Sequence, residues 1–427
     1  MRKKLILIAL DAADIDLIKL WSSEGFLPNF DRILRNSAVI KLEGNPVYRN
    51  ESSWVSSLTG CTPEQTGYWT PIKYNPGTYK VKSIGAYSFD PFLPIHALVP
   101  DLKVNVFDLP HCGQVFQSIK GNQILGWGAH SPMCNPISYP PDIIGKIKKE
   151  FGLHPALKIQ NRGSWWDNLK LRNLYYSLIK GVKKRGEIIR MLLNKHHADL
   201  NIFTFGELHI AGHHFWHLNN KTHPAFASNN PPLPDFLKDI YQAVDDELGK
   251  LTDVLTGSED LILFSPEGGD VNWCDLNSMV FLPEFLFRWN FPGEKLIPGD
   301  ESDTTQTPVI PETKHWVKSV WNDSFNNLPP AWVLGIFKNI FRNLANIDTI
   351  NFPFYILRRL GDLQWQPSLW YKPWWTKMKA FALPSYGDGY IRINLKGREP
   401  DGIVLPEEKN TVIKSLTEML MGLTDPD

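Results

Sequence analysis

Cysteine is scarce in this chain. Cys61, Cys112, Cys134 and Cys274 stand far apart, with no CxxC or CxxH spacing. That argues against a zinc knuckle and a disulfide framework, and makes reduced thiols in a cytoplasmic protein the expectation. Net charge is missing as well, since 45 Lys and Arg balance 45 Asp and Glu. No overall field draws in nucleic acid or an anionic membrane, so neither is expected as a partner, and any anionic ligand must be held by a local site. Long apolar runs are also lacking, and no stretch approaches the ~18 residues of a membrane span. The basic start MRKKLILIALDAAD ends its apolar run at Asp11, too early for a signal peptide and without a small-residue cleavage site. Internal repeats and low-complexity segments are absent.

What is present suits a large core with long ordered loops: 16 Trp, 23 Phe, 13 Tyr and 33 Pro. Disorder does not fit that composition. LILIAL (residues 5–10) is a continuous apolar run of the kind buried on both faces of a parallel sheet. Asp11 ends it, and an amphipathic helix carrying Ile15, Ile18 and Trp21 follows. Strand candidates recur at 103–107 and 123–127. A long amphipathic helix over 171–195 leads into LNIFTF (200–205), and a helix over 235–256 leads into DLILFS (260–265), read as a third buried strand.

Three of these strands end in side chains able to bind a metal. The sets are Asp11, then Glu207, His209, His213 and His214, then Glu267 and Asp270. Strand–helix alternation implies parallel strands joined by right-handed crossovers, which puts those ends on one edge of the sheet. Ligands of open α/β sheets gather at that edge. His209 and His213, four residues apart, face the same way on a helical turn. Each group alone also has a plain reading: a helix cap for Asp11, a polar core pair for the histidines.

The stretch VYRNESSWVSSLTGCTPEQTGYW (47–69) opens with Asn50, a preferred helix N-cap. Such an end is a natural seat for a phosphate or sulfate. Its plain reading is a capped helix with Trp54 in the core. From 292 to 375 the alternation is lost, with one clear helix near 331–344, which reads as a cap or insertion. The expected division is therefore 1–291 as the first part of an α/β core, 292–375 as the cap and 376–427 as the rest of the core. Strands near 379–383 and 390–395 and a helix over 411–423 close the chain. There Asp388, Arg392 and Arg398 are either pocket residues or structural pairs.

Taken together, LILIALDAAD with EGFLPNF, SSLTGCTPEQTGYW, ELHIAGHHFWH, LILFSPEGG and INLKGREPDGIV resemble, in order, the alkaline phosphatase superfamily, and most of all its type I phosphodiesterase/nucleotide pyrophosphatase branch. The resemblance implies a three-layer α/β sandwich with a largely parallel sheet. It also implies one or two divalent ions, usually zinc, and a Thr or Ser that forms a covalent phospho-enzyme. Carried over by position, Asp11, His209, His213 and Glu267 would be metal ligands, with His209 where the family has Asp. Asn50 occupies the nucleophile position and has no hydroxyl to deprotonate. Ser265-Pro266-Glu267-Gly268 stands where the family has Ser-Asp-His-Gly, and Pro266 cannot ligate. Substrate contacts would fall to Asn50, Glu207, His214, Asp270 and Asp388. The implied function is metal-dependent hydrolysis or transfer at a phosphodiester, phosphomonoester or related ester with an altered site. The alternative is a degenerate member that binds an anionic ligand or a protein partner without turnover.

Overall fold

The computed structural model describes residues 3–45, 47–48, 52–128, 135–157, 159, 167–218, 220–221, 223, 226, 233–269, 277–296, 366–385 and 387–424. They form two compact units, one of 1–71 and 85–273, the other of 72–84 and 274–427.

The first unit is built on a six-stranded sheet. Its strands are β1 (Lys4–Leu10), β4 (Lys103–Phe107), β5 (Lys120–Leu125), β6 (Ile137–Tyr139), β7 (Leu200–Phe205) and β8 (Glu259–Phe264). They lie in the order β6-β5-β4-β7-β1-β8, all parallel except β6, which runs antiparallel to β5. Helices flank the sheet: α1 (Ile15–Ser23), α2 (Pro28–Arg35), α3 (Ser52–Thr59), α4 (Pro63–Thr66), α5 (Ile143–Phe151), α6 (Asn168–Lys195), α7 (Glu207–Phe215) and α8 (Phe236–Asp253). The α/β class and the largely parallel sheet are as expected.

Position in the sheet explains the strand sequences. β7 lies between β4 and β1, and every residue of LNIFTF is buried, which is why its apolar run is unbroken. Among the described residues β8 pairs with β1 alone, and its burial alternates. DLILFS is therefore not covered on both faces, and Ile262 is 46% exposed. The core joins Phe203 and Phe205 of β7 to Leu178, Val182 and Ile189 of α6 and to Ile240, Val244 and Leu248 of α8. Each such side chain contributes roughly 1.5–3 kcal/mol by leaving water. α2 has no cap of its own, and Asp245 of α8 supplies one, accepting the Phe30 N–H at 2.6 Å and the Asn29 N–H at 3.2 Å. Gly249 leaves the room, since a Cβ there would stand 2.7 Å from the Asn29 side chain.

The second unit joins a hairpin of β2 (Ile72–Asn75) and β3 (Lys80–Ser83) to β9 (Ala380–Leu383), β10 (Tyr390–Ile393), α9 (Leu282–Asn290) and α10 (Lys409–Met421). Aromatic packing binds the hairpin into this unit. Tyr74 and Tyr79 of the hairpin pack on Phe381, which stacks on Trp375 at 4.4 Å, and the Tyr79 hydroxyl donates to Asn394 at 2.6 Å. Residues 297–365, with the expected helix at 331–344, lie outside the described residues. Arg392 and Arg398 both bind the buried Glu399 carboxylate, at 2.7 and 3.0 Å, so they are structural pairs. Among the described residues no helix is long and apolar enough to cross a membrane.

Candidate metal centre

The first strand delivers Asp11 through a tight turn. Its N–H still joins the sheet ladder, donating to the Phe205 carbonyl at 3.1 Å. Ala12 then adopts φ 52°, a left-handed conformation that costs a non-glycine residue energy and persists only where neighbours enforce it. Two neighbours do. The Ala13 N–H donates to the Ser265 hydroxyl at 3.2 Å. Gly269 approaches so closely that a Cβ would lie 2.7 Å from the Ala12 carbonyl oxygen. The cap of α1 is Asp14, which accepts the N–H groups of Asp16 and Leu17. Asp11 is thus not the helix cap.

Its carboxylate is fully buried and faces two ways. Oδ1 accepts the indole N–H of Trp54 at 2.8 Å. Oδ2 faces Nδ1 of His209 at 3.8 Å, and Oε1 of Glu267 faces the same nitrogen at 3.7 Å. These three atoms lie within 4.8 Å of one another, and among the described residues they are the group able to hold a metal ion. The separations exceed a hydrogen bond. Two donors bound at about 2.1 Å to a tetrahedral ion stand about 3.4 Å apart, a few tenths of an ångström less than the two separations from His209. Two carboxylate oxygens and one imidazole nitrogen are also the donor types that zinc accepts, and three protein donors leave a coordination position open.

The electrostatics point the same way. Burial raises the Asp11 carboxyl to about 7; proximity to His209 opposes the rise and Glu267 adds to it. Burial raises Glu267 to about 7 as well. Burial also holds His209 below the ordinary imidazole range, against the pull of Asp11. Two carboxyls and an imidazole, each held toward its neutral form, therefore meet here, and a bound cation would invert those preferences.

His213, one turn along α7, does not face the carboxylates through the nitrogen that meets His209. The two Nε2 atoms lie 2.9 Å apart, so one carries a proton and the other a lone pair. Assigning the proton to His209 leaves its Nδ1 lone pair directed at Asp11 and Glu267.

Glu207, expected on the substrate side, is in a different place. It is fully buried, with Nε of Arg185 at 2.9 Å from both its oxygens and His154 Nε2 at 2.9 Å. Arg185 also binds Asp108, at the end of β4, at 2.9 Å. Both Glu207 oxygens are engaged, so Glu207 braces the first turn of α7. His214 follows His213 on α7. Asp388 lies in the β9–β10 turn of the second unit, where it accepts from the Tyr390 hydroxyl at 3.2 Å. Asn50 and Asp270 lie outside the described residues. Ser52, by contrast, is buried, and its hydroxyl donates to the Tyr48 carbonyl at 3.1 Å.

Two participants were not legible as such in the sequence. Trp54 reads as core, and it is core, yet it also holds a carboxylate. His111, at φ 54° after β4, is buried with Nδ1 2.9 Å from the Tyr68 hydroxyl. That hydroxyl donates its one proton to the Gly85 carbonyl at 2.9 Å. The His111 ring is therefore the donor at Nδ1 and keeps a lone pair at Nε2. Burial, with His209 adding to it, pushes His111 down to about 3.

Fold and site define an α/β protein with a buried carboxylate–imidazole cluster at the carboxyl ends of adjacent parallel strands. No family model matches the chain, and a search of curated proteins finds no match. Among solved structures it is similar to phosphonoacetate hydrolase from Sinorhizobium meliloti 1021 in complex with phosphonoformate, at 14% identity and a TM-score of 0.34. The match covers 62% of this chain and 56% of that one, so the chain spans just over half of that protein's length.

Proposed function

We propose that this protein is a metal-dependent enzyme of the alkaline phosphatase superfamily, acting by hydrolysis or transfer at a phosphodiester, phosphomonoester or related anionic ester. The observation that carries the reading is the convergence of Asp11, His209 and Glu267, from the ends of β1, β7 and β8, on one point at the ligand-binding edge of the sheet. These three side chains would hold a divalent ion, and zinc suits their mixed oxygen and nitrogen donors. When bound, such an ion polarises a phosphoryl oxygen and lowers the pKa of a coordinated hydroxyl. His213 would support His209 through the Nε2 contact. Asn50 can offer its amide to a substrate oxygen but cannot form a covalent ester, so the attacking group would be water or a hydroxyl of the substrate itself.

The test is metal content followed by turnover. Protein dialysed against zinc or manganese is expected to retain stoichiometric metal and to cleave at least one of three generic chromogenic substrates: a phosphodiester, a phosphomonoester or a sulfate ester. Asp11→Asn should lose both properties. Protein that takes up no metal and turns over none of the three sinks the reading. Metal uptake with anion binding but no turnover would favour the binding-only alternative, which the missing hydroxyl at Asn50 and the non-ligating Pro266 also support.

A further inference from the structure

We propose that Trp54 is a positioning residue for the metal site, its indole N–H fixing the Asp11 carboxylate so that Oδ2 is the oxygen presented to the ion. The inference rests on the metal reading above and adds to it a residue drawn from a different part of the fold.

An aspartate carboxyl rotates broadly about its last torsion, so the backbone turn at Ala12 does not by itself decide which oxygen faces His209. A rigid donor does. The indole offers one N–H and no acceptor. Trp54 is completely buried, its ring tilted against Phe264 with centroids 6.5 Å apart. The 2.8 Å contact to Oδ1 is a well-formed hydrogen bond by its length. With Oδ1 held there, Oδ2 is the oxygen turned toward the His209 nitrogen. Partners that orient a metal ligand in this way typically set affinity by ten- to a hundredfold. Trp54 is also the third residue of α3, the helix that follows Asn50. The same indole therefore ties a metal-binding carboxylate to the helix behind the nucleophile position.

Titration with Co(II), followed by visible absorption, tests the inference without reference to catalysis. Two variants remove the N–H. Trp54→Phe shortens the ring, whereas benzothienylalanine at position 54 keeps the shape of the indole and replaces N–H by sulfur. Trp21→Phe is the control, a buried tryptophan of α1 packed edge-on to Tyr241 at 5.1 Å. Both position-54 variants are expected to raise the Co(II) Kd roughly ten- to a hundredfold and to shift the d–d bands, with Trp21→Phe unchanged in both. A benzothienylalanine protein that binds Co(II) with wild-type Kd and spectrum overturns the inference and leaves the metal reading standing. Wild-type protein that binds no Co(II) removes both together.

Discussion

Two groups of buried charges stand at the same sheet edge, on the same turn of α7, and their internal balance is opposite. Glu207 opens the helix and belongs to a set with Arg185, Asp108 and His154. His209 lies two residues further on, with Asp11 and Glu267. In the first set the guanidinium lies between two carboxylates. Burial alone would raise Glu207, but Arg185 and then His154 outweigh it and hold it below the usual carboxylate range. In the second set burial prevails over the neighbouring groups, and both carboxyls rise to about 7. The comparison separates a charge cluster in which an arginine holds the carboxylates ionised from one whose carboxyls burial holds toward their neutral form.

The largest way to break the comparison is to exchange the fates of the two glutamates. Arg185→Met leaves Asp108 and Glu207 buried without their cation, and Glu207→Gln leaves Arg185 short of one charge. Each is expected to lose about 3–5 kcal/mol, the usual cost of removing one partner of a buried pair. Glu267→Gln is the same chemical change two strands away and should behave differently. It removes a carboxyl that the fold disfavours as an anion, so the metal-free protein should be unchanged or slightly more stable at pH 8. Urea unfolding of the variants beside wild type reads both halves. A large loss in metal-free Glu267→Gln would show that the second cluster, too, is satisfied internally.

A smaller effect separates the sets by pH. Asp11 and Glu267 have folded values of about 7, above their ordinary 3.8 and 4.5. Their contribution to stability is therefore fully present below about pH 4 and is lost as the pH rises through about 7. Glu207 runs the other way: its contribution is present above the ordinary glutamate range and lost as the pH falls through its lowered folded value. Metal-free protein should show a urea midpoint that declines from pH 5 to pH 8. Glu267→Gln should flatten that decline, and zinc should reverse it, since only the deprotonated carboxylates bind. A midpoint indifferent to zinc at pH 8 would count against a cation site.

Why the sequence disclosed one set and concealed the other is a matter of what periodicity can report. Asp11, His209 and Glu267 each follow a run of apolar residues, so strand ends and parallel topology bring them together before any coordinates. Glu207 sits in the same place by that rule. Its partner Arg185 is mid-helix in α6, 22 residues upstream, among the other Lys and Arg residues of that helix. No local pattern marks an arginine that will be wholly buried. The partial exposure of β8 was hidden for a similar reason: DLILFS has the composition of a central strand, yet among the described residues it pairs with β1 alone and its burial alternates. Trp54 was legible as core and not as a donor, because its indole N–H meets a residue 43 positions away.

The subtlest test concerns His213, whose spacing from His209 marks it as a second ligand and whose Nε2 instead meets its neighbour's at 2.9 Å. The two roles make different demands on the side chain. A supporting residue need only accept the His209 Nε2 proton, which a glutamine carbonyl can do from the same helical position; a leucine cannot. His213→Leu is expected to weaken zinc binding by roughly tenfold, the low end for loss of a partner behind a ligand, whereas His213→Gln should stay close to wild type. A direct ligand behaves otherwise, because a neutral amide is a poor replacement for imidazole on zinc and both variants would then fall together. Competition titration of zinc against a chromophoric chelator resolves the difference. Equal, large losses in the two variants would move His213 from behind His209 to the ion itself and would add a fourth donor to the three that converge in this structure.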